Sequence, residues 1–483
     1  MPDSEAAAPW IPYGTEIRLN RHTHMLGTNV LMGGSPSLVM TLSPRAAELL
    51  KRRSFTVTDE LSAGLAERLI TTGIADPSPE TLPALDTSQI TVVIPVYRRP
   101  EQLRRLLTSV NLCLPDHHVI VIDDASGEDS EAIAQHTDNY AARYLLLDKN
   151  RGPGEARNAG LTEVSTPFVL FVDTDVVLQP GSINLLLRHF IDPELAAVTP
   201  RVLGLPGNNC GWVTDYEDAR SSLDHGPDAG LVRPHSPMSW VSTTCILART
   251  EALTTGFSPG MRVAEDVDLV WRLSAAGWRV RYEPSNRIYH EHRTTAQQWL
   301  IRKYVYGTGA ADLAQRHGNL VAPAVLAPWA GAVLMCVAVQ RRWSLAIAVG
   351  LTGWAYSSTV RKLRGLSIGH RKRYLMAGRL VGFGLTTAAG QGVALMVRHW
   401  APGIVVGSLF SSRARRLLLV SATADTVWEY ARLKPEMSPA KFALARRLDD
   451  LAYSLGVWKS ALCSGSLRTA LRTLAPTRPT RRT

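Results

Sequence analysis

Apolar positions between residues 90 and 175 come in short runs separated by amphipathic stretches. ITVVIPV (90–96), HVIVIDD (118–124), RYLLLD (143–148) and PFVLFVDTD (167–175) are four such runs. Apolar runs of this length without alternation predict strands buried on both faces. Pro100 opens a predicted helix with Leu103, Leu106, Leu107 and Val110 on one face. Strands alternating with helices predict a mixed, mainly parallel α/β sheet over residues 89–315. In such sheets ligands bind beyond the carboxyl ends of the strands. The chemistry-bearing side chains fall there: Tyr97 after Pro95 and Val96, then Asp123, Asp124, Asp173 and Asp175.

The flanking regions have other rhythms. Residues 14–80 predict a small α+β unit with strands in TEIRLN, VLMGG and SLVMTL. Ser43-Pro44 then supplies a helix cap and first-turn proline. A second helix is predicted in DELSAGLAERLITTG, with apolar positions 61, 65, 69 and 70 inward and Gly73 closing it. The Pro-rich stretch 76–88 reads as a linker. From 320 the texture changes again. Residues 322–339, 343–360 and 380–397 are uncharged stretches of 18 residues each. That length is near the roughly 20 residues needed to cross a bilayer. Only Gln340 to Arg342 separate the first two, which predicts a tight hairpin dipping into a membrane. A soluble Ala-rich helical bundle is the competing reading. Residues 413–483 predict a basic helical tail, partly disordered towards TRPTRRT.

Charge sharpens this division. The net charge is +11. Residues 321–483 hold 24 Lys+Arg against 5 Asp+Glu, whereas residues 1–320 hold 29 against 37. An anionic surface is the expected partner of the C-terminal third, a membrane before a nucleic acid, because no aromatic interleaving or nucleic-acid module accompanies the charge. The six Lys/Arg of RKLRGLSIGHRKR (361–373) predict a cytoplasmic loop. Cysteines 113, 210, 245, 336 and 463 form no CxxC pair, as expected of reduced thiols. The start, MPDSEAAAPWIPYGTE, is acidic without an apolar core and reads as no secretory signal. The expected location is the cytoplasmic face of the membrane, or the cytoplasm.

Four motifs carry the chemistry: IPVYRRP (94–100), VIDDASGEDS (121–130), NRGPGEARNAGL (150–161) and FVDTDV (171–176). In this order and spacing they resemble the nucleotide-binding half of family-2-type inverting glycosyltransferases. SWVSTTCILARTEAL (239–253) and GFSPGMRVAEDVDLVWRLSAAGWRVRYEP (256–284) resemble the acceptor half. The resemblance implies a GT-A-type (Rossmann-like) fold, with 89–178 for the donor and 179–315 for the acceptor. It implies a divalent cation, Mg2+ or Mn2+, held by Asp175, with Asp173 facing the ribose and shared with the metal. His290 matches a position where some relatives add a histidine. The physical reason is the leaving group: a nucleoside diphosphate gains negative charge as the C–O bond breaks, and a hard cation offsets it. The resemblance places Pro95, Val96, Tyr97, Asp123, Asp124, Arg157, Asp173 and Arg272 at the donor. Asp124 would accept from a uracil ring, and Asp123 has a competing reading as a turn cap. Asp266 would be the general base that takes the acceptor proton, beside Glu265. Asp268 is equally an acid drawn to a helix N-terminus. Trp240 would stack on the acceptor sugar, or be a plain core tryptophan. His290 and His292 have ordinary polar roles as their alternative.

Residues 14–80 resemble the winged-helix-like peptide-recognition modules of peptide-derived cofactor pathways. Joined to this core, they resemble the glycosyltransferases of the mycofactocin system. That implies transfer of glucose, as a β-1,4-linked oligomer, from UDP-glucose to a peptide-derived redox cofactor or its precursor. Such a module could take a peptide as an added strand. His22 and His24 lack a third ligand and read as ordinary polar residues. A family-2 enzyme building a cell-surface glycan at the membrane is the alternative. FVLFVDTDVV also resembles the DxDxV motif of haloacid-dehalogenase-like phosphatases, without that family's later motifs.

Overall fold

The computed structural model describes residues 9–26, 28–35, 38–115, 117–207, 211–365 and 369–479. Cys210, the acidic residues 1–8 and the basic end 480–483 lie outside them, as do residues 366–368 of the basic loop. The chain forms two compact units, Met1–Asn208 with Ser221–His292, and Asn209–Arg220 with Arg293–Thr483.

The first unit opens with strands β1 (Glu16–Leu19), β2 (His24–Leu26), β3 (Val30–Gly33), β4 (Leu38–Thr41), β5 (Ser54–Thr56) and β6 (Ala75–Pro77), and helices α1 (Pro44–Leu49) and α2 (Glu60–Thr71). They make two three-stranded antiparallel sheets, β5-β1-β6 and β2-β3-β4. Ser43 caps α1, accepting from Ala46 N at 3.2 Å. Asp59 and Ser62 cap α2 reciprocally. That cap sets the rotation of α2. Ser62, Ala63, Ala66, Leu69 and Ile70 face inward, and Leu61, expected inside, is 41% exposed. Stretch 76–88 is less of a linker than its prolines imply. Residues 73–79 are buried, and Asp76 pairs with buried Arg281 of the larger sheet. Arg188 donates to the carbonyls of Glu80 and Leu82, both at 3.0 Å.

The larger sheet comprises β7 (Ile90–Val96), β8 (His118–Asp123), β9 (Arg143–Leu146), β10 (Phe168–Val172), β11 (Val176–Val177), β12 (Leu195–Gly204), β13 (Gly230–Leu231), β14 (Cys245–Arg249) and β15 (Arg279–His290). Its order is β11-β15-β12-β14-β10-β7-β8-β9, with β13 on β15. Strands β10, β7, β8 and β9 run parallel, as the apolar runs predict. β14 is antiparallel to β10 and β12, so the sheet is mixed. Helices α3 (Pro100–Cys113), α4 (Ser130–Asn139), α5 (Pro153–Leu161), α6 (Ser182–Arg188) and α8 (Glu265–Ala275) belong to this layer. Every residue of β7 is buried. Gly160 lets α5 lie close on the sheet: a Cβ there would sit 2.5 Å from Val93 Cγ1.

The second unit is helical: α7 (Trp212–Arg220), α9 (Ala296–Thr308), α10 (Ala310–His317), α11 (Pro328–Val339), α12 (Arg342–Lys362), α13 (His370–Ala394), α14 (Ala401–Phe410), α15 (Ser412–Leu433), α16 (Pro439–Cys463) and α17 (Leu467–Leu474). Residues 293–315, expected with the acceptor half, lie here. Gly307 of α9 and Gly456 of α16 cross so closely that a Cβ on Gly456 would lie 2.0 Å from Tyr304 O. The tail is helical through residue 474 because α16 buries Phe442, Ala445, Val457 and a charge network. Arg446 and Arg398 each donate to Asp450 Oδ1 at 2.9 Å. Lys303 Nζ lies 2.8 Å from Glu217. Stretch 322–339 is helical only over Pro328–Val339, and His370–His399 is long and apolar enough to cross a membrane.

Candidate active site

The site gathers at the carboxyl ends of β7, β8 and β10. Three residues other than glycine adopt left-handed backbone in the loops that carry it: Arg98 (φ 53°), Ala125 (φ 59°) and Ala264 (φ 63°). Such conformations cost on the order of 1 kcal/mol each and cluster where side chains must be aimed. Arg98 follows Tyr97, Ala125 follows Asp124, and Ala264 precedes Glu265 and Asp266.

Asp175 leaves β10 and heads β11. Antiparallel pairing of Val176 with His290 brings the end of β15 alongside. His290 Nε2 lies 3.3 Å from Asp175 Oδ1, and Arg99 from the turn after β7 pairs with Oδ2. Burial raises the Asp175 pKa, but His290 and Arg99 outweigh it and hold the carboxyl well below the usual range. Burial lowers the His290 pKa, and Asp175 more than reverses that. His290 Nδ1 has no hydrogen-bond partner. Among the described residues no group of three or more His, Cys, Asp or Glu forms a closed metal cage. Two convergent donors do suit Mg2+ or Mn2+, which take few protein ligands and leave the rest to phosphate and water.

Asp173 takes a different partner. Arg157, 2% exposed, donates to Asp173 Oδ1 at 2.6 Å and reaches Glu265 Oε1 at 3.3 Å. Its guanidinium also lies over the Phe257 ring at 5.3 Å. Arg157 thus joins the strand tip to the start of α8. At that helix start Asp266 is half-buried and accepts from Val267 N at 2.8 Å. Burial and the neighbouring Glu265 push its pKa up to about 7, the range suited to a base at neutral pH.

Three residues expected at the donor are held by contacts within the protein. Asp123 is fully buried, with Oδ1 accepting from Ser126 N and Oδ2 from Tyr144 OH, both at 2.8 Å. It is the turn cap. Asp124 accepts from Arg151 N at 2.7 Å and Gly152 N at 2.8 Å, so it shapes the glycine loop. Arg272 donates to Asp268 at 2.9 Å, Thr255 Oγ1 at 2.7 Å and Gly256 O at 2.6 Å. Each guanidinium nitrogen is used in tying α8 to the preceding turn, and Asp268, wholly buried, is its anchor. Pro95 and Val96 are buried in β7, and Val96 O accepts from Asp124 N at 2.9 Å. Tyr97 is 41% exposed at the strand end, with Arg98 over its ring at 5.1 Å.

On the acceptor side, Trp271 of α8 donates to Ser239 O at 2.8 Å, beside Trp240. The half-buried Trp240 meets His225 edge-on at 5.0 Å between centroids. Of the other histidines, His22 lies 3.4 Å from Asp228, and the His292 ring is 5.9 Å from that of His290.

The family model Glycosyl transferase family 2 matches residues 91–252. A pre-mycofactocin glycosyltransferase of Mycobacterium tuberculosis (strain ATCC 25618 / H37Rv) is 36% identical over 486 residues, covering 96% of this chain and 99% of that one. This chain belongs to the pre-mycofactocin glycosyltransferase family. More distantly, the poly-β-1,6-N-acetyl-D-glucosamine synthase of Staphylococcus aureus (strain COL) is 26% identical over 200 residues, covering 40% of this chain and 48% of that one. Among solved structures, a mannosyltransferase from Pyrobaculum calidifontis in complex with GDP-Man and Mn2+ aligns at a TM-score of 0.42 and 16% identity, covering 79% of this chain and 89% of that one.

By its relative and the family model the protein is a glycosyltransferase, and its mixed, mainly parallel sheet is of the GT-A type. Two residues of this glycosyltransferase's site carry no signal in the motif reading. Arg99 stood within IPVYRRP, but nothing local says that it meets Asp175. His225 belongs to no motif. Burial lowers its pKa to about 4, which keeps the ring beside Trp240 neutral.

Proposed function

We propose that the protein is a cation-dependent inverting hexosyltransferase. It moves glucose from UDP-glucose to the peptide-derived mycofactocin precursor, extending it as a β-1,4-linked oligomer. One observation carries the reading. Asp175 with His290 and Asp266 with its raised pKa stand on elements joined through Arg157, which touches both Asp173 and Glu265.

Asp175 and His290 would hold Mg2+ or Mn2+, with Asp173 alongside them. When bound, the cation supplies charge to offset the departing diphosphate. Tyr97 and the loop held by Asp124 form the walls of the nucleotide subsite. Asp266 receives the proton of the attacking hydroxyl; burial and the neighbouring Glu265, which pairs with Arg157, raise its pKa. Trp240, neighboured by His225, offers an apolar face to an acceptor sugar. The sheet β2-β3-β4 offers edge strands to which a peptide acceptor adds. Arg233 ties this module to the transferase layer, donating to Ser35 O at 2.9 Å and Thr71 O at 2.7 Å. The basic C-terminal helices hold the enzyme at the cytoplasmic face of the membrane.

The test is incubation with a panel of sugar nucleotides and Mn2+ or Mg2+, with mass spectrometry of the acceptor. A ladder of hexose additions on the peptide-derived molecule from UDP-glucose is expected. Transfer only to a lipid-linked or polymeric glycan would replace this reading with cell-surface glycan synthesis.

A further inference from the structure

Two adjacent arginines follow β7 and take opposite courses. The left-handed backbone at Arg98 (φ 53°) turns the chain between them. Arg98 lies over the Tyr97 ring, 5.1 Å from its centroid, and Arg99 pairs with Asp175. Arg99 is also the N-cap residue of α3, and its side chain makes no capping hydrogen bond. A cation is disfavoured at that end, because a helix N-terminus carries partial positive charge and attracts anions. Arg99 therefore needs an anion in front of it. Buried Leu103, Leu106, Leu107 and Val110 fix α3, as does the pairing of Arg105 with Glu291, so the guanidinium is delivered to one place.

The two arginines that meet the strand-tip carboxylates are held differently. Arg157 is locked between Asp173 and Glu265 and over Phe257. The Arg99 side chain is 30% exposed, and Asp175 is its one hydrogen-bond partner among the described residues. Arg99 is thus free to exchange partners where Arg157 is not. Asp175 in turn has two claimants. Arg99 takes Oδ2, and His290 lies 3.3 Å from Oδ1. A divalent cation on the same carboxylate and imidazole would crowd its charge against the guanidinium, and like charges at such range repel strongly. A nucleoside diphosphate resolves the conflict, because its oxygens match the planar fork of a guanidinium as a carboxylate does.

We infer that Arg99 binds the diphosphate of the donor, and that it does so by releasing Asp175 to the cation. This rests on the cation-dependent reading above and deepens it. Cation and nucleotide then bind cooperatively. Either one alone breaks the Arg99–Asp175 pair and leaves one of its members without a counter-charge, whereas the two together supply both. Such coupling is reciprocal: each ligand strengthens the other by the same factor.

Electron paramagnetic resonance titration of Mn2+ alone, and calorimetry of UDP with Mn2+ present, test this on the full chain. Arg99→Met should bind Mn2+ alone about tenfold more tightly than wild type, since the competitor for Asp175 is gone. The same variant should bind UDP about tenfold more weakly, since a charge-assisted contact to phosphate is lost. Arg99→Lys keeps the charge without the fork. It should bind Mn2+ alone as wild type does, with UDP affinity between those of wild type and Arg99→Met. The opposite signs separate this role from a structural one, which would weaken both ligands together. Should Arg99→Met fail to fold, Arg99→Lys carries the test. Mn2+ affinity in Arg99→Met at or below that of wild type, or UDP affinity unchanged in either variant, would overturn the inference. A wild-type chain that binds UDP equally with and without Mn2+ would sink the cation-dependent reading itself, and the inference with it.

Discussion

His290 Nε2 lies 3.3 Å from Asp175 Oδ1 because β15 returns antiparallel to β11 and pairs His290 with Val176. An imidazole and a carboxylate from distant parts of the chain thus share one small space with Arg99. Asp175→Ala should abolish transfer. His290→Gln, which keeps a polar group but not a ligand of equal strength, should weaken Mn2+ binding by about 10–100-fold, in the range for disturbed metal sites. Electron paramagnetic resonance titration of Mn2+ with UDP present checks this. Unchanged Mn2+ affinity would remove His290 from the metal.

Asp266 makes opposite predictions for activity and stability. Its pKa is raised from 3.8 to about 7 by burial and Glu265. The base acts deprotonated, so kcat/KM should fall as pH drops below about 7. Between these two values the folded chain keeps a proton that the unfolded chain has lost, so stability declines as pH rises through that window. Asp266→Asn should therefore end transfer yet raise Tm at about pH 8 by at least about 2 °C. The difference should close near pH 4. UDP binding by calorimetry should be preserved.

Arg157 is the buried tie between Asp173 and Glu265. Arg157→Met leaves two carboxylates beside each other with no counter-charge, and should cost about 3–5 kcal/mol of stability. Denaturant unfolding measures it. Arg157→Lys should recover part of the stability but not the two-sided bridge.

In the helical unit, Gly456 stands where α9 and α16 touch. A methyl group there would meet backbone, 2.0 Å from Tyr304 O, which cannot swing aside as a side chain can. Gly456→Ala should destabilise this unit by about 1–3 kcal/mol. Limited proteolysis should show faster cleavage within α9–α17 while UDP binding persists.

The tips of the parallel strands were legible because their signal is local: an apolar run such as FVLFV ends in acids. The inward face of α2 was misread at Leu61, since the reciprocal cap of Asp59 and Ser62, not apolar spacing alone, sets the helix rotation. Asp123 and Arg272 matched motif positions, and the fold also engages them with Ser126, Tyr144, Asp268, Thr255 and Gly256. A motif names a residue type at a place. It does not say which groups of the fold that residue also meets.

Sequence alone was enough for the strand–helix alternation, the acidic strand ends and the uncharged basic-flanked C-terminal stretches, because periodicity and charge are properties of neighbours along the chain. Tertiary structure decided which charge meets which: Arg157 with Asp173 and Glu265, Arg99 and His290 with Asp175. It also decided that the alanines of α12 face its neighbours while Trp343 and Val349 face away. Hydropathy sums the residues of a helix without regard to direction, and only packing assigns an inside.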